Sequence, residues 1–417
     1  MHPRRLEVLS ATPFPAYVVW ELTLRCDHAC THCGSRAGHV RPSELGTDEA
    51  VATAGRLAAM GAREVVLIGG EAYLHDGFLD VVRALVRGKV NVQVTTGGRG
   101  IDADLARAMA DAGVNGASVS IDGLQGPHDR MRASPGSFAA ATRALEHLRA
   151  AGLHTSSNIN LNRFNQGDLE GVYDHVLAAG VRAWQVQLTA PLGRAADRPE
   201  LLLQPWDLLT LVPRVAALKQ RARADGVLLM PGNNLGYFGP EEAALRSLEA
   251  GGRDHFQGCQ AGRFVMGIES DGAVKGCPSL QSAHYVGGNL RQRPIEEIWR
   301  DAPEVGFARA RTRADLWGFC ADCAYGDTCL GGCTFTAHAL LGRPGNNPYC
   351  HHRARTLARA GQRERLVQVE AAPGEPFDNG RFELVLEALD APDPGATVPA
   401  HERLVQLRRG ATSAPAR

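Results

Sequence analysis

Lysine is nearly missing from this chain. Lys89, Lys219 and Lys275 stand alone, and arginine carries the rest of the basic charge. An amine able to form a Schiff base is therefore scarce, which weighs lightly against that chemistry. Net charge is lacking too, with 45 basic and 45 acidic residues among 417. Without a field of one sign there is no long-range pull toward nucleic acid or an anionic membrane, and neither is expected as a partner. No apolar run approaches the roughly 20 residues that span a bilayer. The opening stretch, Met1-His-Pro-Arg-Arg-Leu-Glu-Val-Leu-Ser10, has arginines but no apolar core, so no secretory signal is read there. The expected location is cytoplasmic. Ten cysteines without an export signal read as thiols kept reduced for metal, not as disulfides.

What is present begins with alternation. Apolar or β-branched runs recur at 17–23, 64–68, 90–95, 116–121, 154–160 and 183–188. Segments with helical periodicity lie between and after them, at 48–60, 77–86, 102–112, 137–151, 168–179 and 205–224. Thr47 reads as an N-cap, and Gly61, Gly113, Gly152 and Gly180 sit just past helix ends. Six strand-then-helix units predict a parallel sheet with right-handed crossovers. That is too few for a full eight-stranded barrel, leaving a partial barrel or an open sheet, with ligands at the carboxyl ends of the strands. The length suits two or three domains.

The chemistry-bearing residues follow those strand ends. Cys26, Cys30 and Cys33 come directly after the first strand in the spacing C-x3-C-x2-C, and no further cysteine follows until Cys259. A 4Fe-4S cluster normally takes four thiolates, so three would leave one iron open to a ligand that is not protein. A structural zinc loop is the competing reading, although zinc favours paired C-x2-C halves. Gly69-Gly70-Glu71 follows the second strand, where glycines permit close backbone approach and a carboxylate can accept from an ammonium group. Period-two alternation puts Ser118, Ser120 and Asp122 on one face of the fourth strand, with a polar turn as the bland alternative. Seven later cysteines, Cys259, Cys277, Cys320, Cys323, Cys329, Cys333 and Cys350, form a second constellation. Ser270-Asp271-Gly272 between two apolar runs signals a hairpin that brings Cys259 and Cys277 together. A zinc ribbon would leave one of the seven cysteines unused.

These motifs in this order resemble the radical SAM enzymes that carry a C-terminal SPASM domain. The resemblance covers 17 to about 355 and includes His128-Asp-Arg-Met-Arg132, Gly136-Ser-Phe138, Thr95-Thr96-Gly97 and Gly193-Arg194. It implies an α/β fold, a partial (β/α)6 radical SAM barrel followed by a small cysteine-rich domain. The expected boundaries are 1–15 for an N-terminal segment, 16–225 for the radical SAM core, 226–355 for the SPASM domain and 356–417 for an extension of unknown role. Within that extension, 366–370 and 381–387 read as strands and 391–400 as a Pro/Ala/Gly-rich break.

By the same resemblance, Cys26, Cys30 and Cys33 hold a 4Fe-4S cluster whose open iron binds S-adenosyl-L-methionine (SAM). Gly69, Gly70, Glu71, Ser120, Asp122 and Asn160 would contact SAM. Cys259, Cys277 and Cys333 would hold a first auxiliary cluster, and Cys320, Cys323, Cys329 and Cys350 a second. Some relatives have an eighth cysteine that this chain lacks, so the first auxiliary cluster has an open position, with His255 and His284 as possible ligands. Other departures are Ala72 where proline usually follows the glycine–glutamate motif, and His32 where an aromatic residue is usual.

The implied activity is reductive cleavage of SAM to a 5′-deoxyadenosyl radical that abstracts hydrogen from substrate, with auxiliary clusters accepting an electron. The expected partners are a peptide or small protein substrate, an electron donor such as flavodoxin or ferredoxin, and a separate peptide-recognition protein, since about fifteen residues precede the first strand. Tetrapyrrole side-chain modification is the alternative. Sulfatase-type maturation is disfavoured by Pro278, where those relatives carry aspartate after the second SPASM cysteine. A zinc-stabilised binding protein or a redox carrier is the non-enzymatic rival.

Overall fold

The computed structural model describes residues 12–395. Six strands fall where the apolar runs place them: β1 (Tyr17–Glu21), β2 (Glu64–Ile68), β3 (Asn91–Thr96), β4 (Gly116–Ser120), β5 (His154–Leu161) and β6 (Ala183–Leu188). Helices α1 (Thr47–Ala59), α2 (Phe78–Arg87), α3 (Ala103–Ala112), α4 (Gln125–Met131), α5 (Ser137–Ala150), α6 (Leu169–Ala178) and α7 (Leu208–Ala224) return the chain. In α2, Phe78, Val81, Val82 and Leu85 repeat at helical spacing and are buried, while Asp80 and Arg83 on the opposite face pair with each other. Each such apolar side chain contributes roughly 1.5–3 kcal/mol through burial. Asp102 caps α3 by accepting from the Leu105 amide. At α1 the cap is one residue earlier than expected. Gly46 precedes the helix, and its N–H donates to Glu49, so Thr47 already lies in the first turn. Gly61, Gly113, Gly152 and Gly180 all adopt positive φ at helix ends.

Two strands beyond the expected six enlarge the parallel sheet. β7 (Leu228–Pro231) pairs parallel with β6, and β8 (Val265–Ile268) pairs parallel with β1. β8 then turns at Gly272 into β9 (Ala273–Lys275), followed by β10 (Val286–Asn289), both antiparallel to their neighbours. The result is a ten-stranded sheet in the order β10-β9-β8-β1-β2-β3-β4-β5-β6-β7, an open barrel. Trp20 and Trp184 are fully enclosed in its core. The extension forms a separate antiparallel hairpin, β11 (Gln362–Glu370) and β12 (Arg381–Ala388). Residues 1–11 of the expected N-terminal segment and 396–400 of the Pro/Ala/Gly-rich break lie outside the described residues.

Among the described residues one stretch, Pro199–Ala224, is long and apolar enough to cross a membrane, which no run was expected to be; 56% of its apolar window is buried inside the fold. It contains α7, whose Leu208, Leu211, Val212 and Val215 join the core.

Candidate functional site

β1 delivers the first cysteine loop to the carboxyl end of the sheet, and the loop after β2 closes on it. Gly70 N–H donates to Thr23 O at 2.7 Å, and Glu71 N–H donates to Arg25 O at 2.8 Å. A Cβ on Gly69 would collide with Thr23 O, and one on Gly70 with Arg25 O. The glycine pair thus lets one backbone lie against another, a tighter demand than approach to a ligand. Glu71 is buried and accepts from Thr96 Oγ1 and, at 2.7 Å, from Gly97 N–H. Thr96 in the Thr95-Thr96-Gly97 stretch therefore fixes the carboxylate. Burial raises the Glu71 pKa to about 7 despite both bonds. Cys26, Asp27 and Glu71 bring ligand-type atoms within 4.8 Å of one another.

Asp122 is fully buried at the end of β4 and is already engaged. Arg132 pairs with it, His32 Nε2 lies 3.2 Å from its carboxylate, and Asn160 N–H donates to it at 2.9 Å. These partners hold its pKa well below the usual carboxylate range although burial opposes them. Arg132 also donates to Cys30 Sγ at 3.7 Å. His32, the residue that departs from the family's aromatic, thus ties the cysteine loop to β4. His128 in α4 accepts from the Asp122 amide at 3.0 Å. Asp129 accepts from Gly136, Ser137 and Phe138 at the start of α5. Ser120 is buried on the same strand.

Gly193-Arg194, after β6, grips the same loop. Arg194 N–H donates to Cys33 O at 2.9 Å, while its guanidinium reaches Cys30 O and Ala37 O. Gly193 has φ of 55°, and a Cβ there would strike Gly34 O. Arg132, Arg194 and Thr96 were not singled out by sequence as site residues, since spacing does not reveal which distant loop a side chain meets.

All ten cysteines are free. Burial and neighbouring negative charge raise the Cys26 thiol to about 12, and burial raises Cys30 to about 11 against the pull of Arg132. Thiols crowded and buried in this way ionise once a cation balances them. Among the described residues, both ring nitrogens of His28, Asp27 Oδ1, His32 Nδ1 and Arg132 Nε are buried without hydrogen-bond partners. Buried polar atoms left so are uncommon. Their gathering in the loop and beside it fits a polar group bound there.

The other seven cysteines separate into two sets. Cys277 and Cys333 feel each other and Cys259, and burial lifts Cys277 to about 12 and Cys333 to about 11. Ala261, Leu280, Tyr285, Phe307 and Phe335 pack beside Cys259 and Cys277. Cys333 N–H donates to Tyr237 OH at 3.1 Å. Cys320, Cys323, Cys329 and Cys350 line one small pocket, with Phe238, Phe319, Tyr325 and His352 on its walls. Cys350 caps the helix His351–Arg359, its sulfur accepting from Arg353 N–H, so a thiolate there faces the positive end of a helix. Of the histidines considered as ligands, His284 lies tilted against the ring of His338 at 4.8 Å, and His255 bonds Gln257 beside Phe238.

Thiol sets at the carboxyl end of a parallel barrel, followed by a cysteine-rich region, define an iron–sulfur protein of the radical SAM class. The model of the radical SAM superfamily matches residues 20–176, and that of an iron-sulfur cluster-binding domain, SPASM, matches 259–324. The mycofactocin maturase MftC of Mycobacterium ulcerans is 30% identical over 344 residues, 81% of this chain and 88% of that protein. An AdoMet-dependent heme synthase of Nitratidesulfovibrio vulgaris is 28% identical over 379 residues, 85% of this chain and 96% of that one. Streptococcus suis SuiB bound to precursor peptide SuiA superposes with a TM-score of 0.63 at 16% identity, over 81% of this chain and 75% of that one. The chain belongs to the radical SAM family with a C-terminal SPASM domain. It is an iron–sulfur enzyme that uses a 4Fe-4S cluster and SAM.

Proposed function

We propose that this enzyme modifies a peptide or small protein by hydrogen abstraction, in the maturation of a ribosomally made product. The carrying observation is the likeness, at 30% identity across most of both chains, to a maturase with the same two-part build. Cys26, Cys30 and Cys33 would hold the SAM-binding cluster, which would supply one electron for cleavage of the sulfur–C5′ bond of SAM to methionine and a 5′-deoxyadenosyl radical. Cys259, Cys277 and Cys333 would hold one auxiliary cluster, and Cys320, Cys323, Cys329 and Cys350 another. The division of the seven thiols into a set of three and a set of four supports this assignment.

The chain's own residues set the conditions for that chemistry. Gly69 and Gly70 seat the second strand's loop on the cysteine loop, and Glu71 beside them would be the acceptor for the SAM ammonium. A cation there would favour its ionised form and draw its pKa back down. Ser120 and Asn160 flank Asp122 near the same end of the sheet, as SAM contacts. Asp122 acts chiefly through His32 and Arg132, holding the loop while leaving Arg132 Nε free.

A second reading, tetrapyrrole side-chain modification, is favoured by the heme synthase likeness, which spans 96% of that relative. The two separate in one experiment. Anaerobically reconstituted enzyme is given SAM and dithionite with either a short precursor peptide encoded beside its gene or an iron porphyrin bearing propionates. A mass change in the peptide supports the first reading. A changed porphyrin with an intact peptide overturns it. A flavodoxin or ferredoxin is the natural electron donor proposed, and replacing dithionite with either tests that.

A further inference from the structure

The extension joins the two cysteine regions, and this follows from where its turn is seated. Residues 371–380 link β11 to β12 and lie against three separate parts of the barrel. Phe377 N–H donates to Gly34 O at 3.1 Å, beside Cys33. Asp378 O accepts from Gly193 N–H at 2.8 Å, in the loop after β6. The Phe377 ring lies 3.9 Å from the ammonium of Lys275, on β9 and two residues before Cys277. β6 is next to one edge of the open sheet and β9 is next to the other. The turn therefore bridges structure from both sides of the opening.

The central bond is ionic. Arg36, three residues past Cys33, adopts φ of 51° and is largely enclosed. Its Nε donates to Asp378 at 2.9 Å and to Glu375 O at 3.1 Å, while its two Nη groups bracket Asp197 at 2.6 and 2.8 Å. Asp378 in turn accepts from the amides of Gly374 and Glu375, so it is held before Arg36 reaches it. Arg36 sits in the turn whose next amide, Ala37 N–H, donates to Cys33 Sγ at 3.4 Å; the Ser35 hydroxyl lies 3.5 Å from the same sulfur.

We infer that Asp378, with Phe377, is a positioning element for Cys33. The turn fixes Arg36, Arg36 fixes the Ser35–Ala37 backbone, and that backbone aims its N–H at the sulfur. Hydrogen bonds to a cluster's sulfurs are among the factors that set its reduction potential. The extension thus takes part in setting the electron energy of the SAM-binding cluster. This rests on the proposal that Cys33 is a cluster ligand, but its structural half does not.

Two arms test it with Asp378→Asn, Asp378→Glu and Arg36→Lys. In metal-free protein, hydrogen exchange at residues 35–37 should rise at least tenfold in Asp378→Asn and Arg36→Lys, and less in Asp378→Glu. In reconstituted protein, an EPR-monitored redox titration should move the SAM-binding cluster to a more negative potential in the first two variants, with partial recovery in Asp378→Glu. Arg36→Lys keeps the hairpin's own sequence, and wild-type exchange across residues 362–370 and 381–388 in each variant excludes hairpin unfolding as the cause of a shift. Wild-type exchange at 35–37 in both disrupting variants overturns the positioning role. Faster exchange with an unmoved potential overturns the redox half. Failure of the ligand assignment is read separately, as reductive SAM cleavage surviving Cys26→Ala/Cys30→Ala/Cys33→Ala.

Discussion

The first cysteine loop and the seven later cysteines solve the same problem in opposite ways. Cys26, Cys30 and Cys33 come from one short segment, and the barrel supplies everything around it: Glu71 by way of Gly69 and Gly70, Arg132 from beyond β4, Arg194 from beyond β6. Its geometry is set by hydrogen bonds that exist without metal. The later cysteines reach from Cys259 to Cys350, on turns and short helices, and four of them, Cys320, Cys323, Cys329 and Cys350, line one small pocket. Between them lie few long elements, so their thiols depend more on whatever they jointly hold. Metal that binds only the folded form adds its binding energy to folding. The difference teaches that loss of iron should leave the loop nearly as it is and loosen the seven-cysteine region.

The largest expected effect breaks the comparison at its first member. Changing Cys26, Cys30 and Cys33 to alanine should abolish dithionite-dependent 5′-deoxyadenosine formation. With three four-iron clusters, iron should fall from about twelve to about eight per chain. Iron falling to zero, with the melting transition lost, would mean that the regions are not independent. Next, Cys320→Ala with Cys323→Ala should remove one cluster, keep SAM cleavage, and speed hydrogen exchange around residues 316–352 far more than in the barrel. Equal acceleration in both regions would sink the contrast.

A smaller effect is expected at Glu71. Glu71→Ala removes the acceptor for Thr96 and Gly97, and also the proposed partner of the SAM ammonium. SAM affinity should drop by roughly 1.5–3 kcal/mol, the range for a bond to a charged group. Isothermal titration with the reconstituted protein measures it.

An effect of comparable size, on stability, is expected at Glu21, which lies on β1 and contacts Ser270 and Arg41. Burial raises its pKa to about 7, against the pull of Arg41. The raised value means that the folded state holds the proton. Its contribution is complete below the unfolded value near 4.5 and is lost as pH rises through 7. Glu21→Gln stays neutral throughout. It should therefore gain on wild type between those values, by up to roughly 3 kcal/mol at about 1.4 kcal/mol per unit. Urea unfolding of metal-free protein at about pH 5 and about pH 8 checks the sign.

Much of this molecule was legible where signals are local. The six strands, the hairpin turn at Gly272 and the cysteine spacings are each carried by neighbours in sequence, and each stands where those neighbours place it. The meetings between distant segments were not legible. Nothing in the run around Asp122 announces that His32 and Arg132 will take its oxygens, and nothing near Arg36 names Asp378. β7 is short and ends on a proline, so its periodicity is too brief to read. Gly46 displaced Thr47 as the cap because Glu49 reaches back to the glycine amide, a bond that residue preference alone does not decide.

The parallel pairing of β8 with β1 has a consequence for how the chain can be cut or made. Tyr17 through Trp20 find their outer neighbours at Val265 through Ile268, so a strand made before the other barrel strands described waits for one made roughly 250 residues later. A shortened gene stopping after α7 would encode β1 to β6 with all their helices, yet leave the β1 flank bare. Exposed strand flanks recruit other chains. Such a fragment should be recovered as aggregates, and addition of a peptide copying 262–276 in trans should restore part of it to solution.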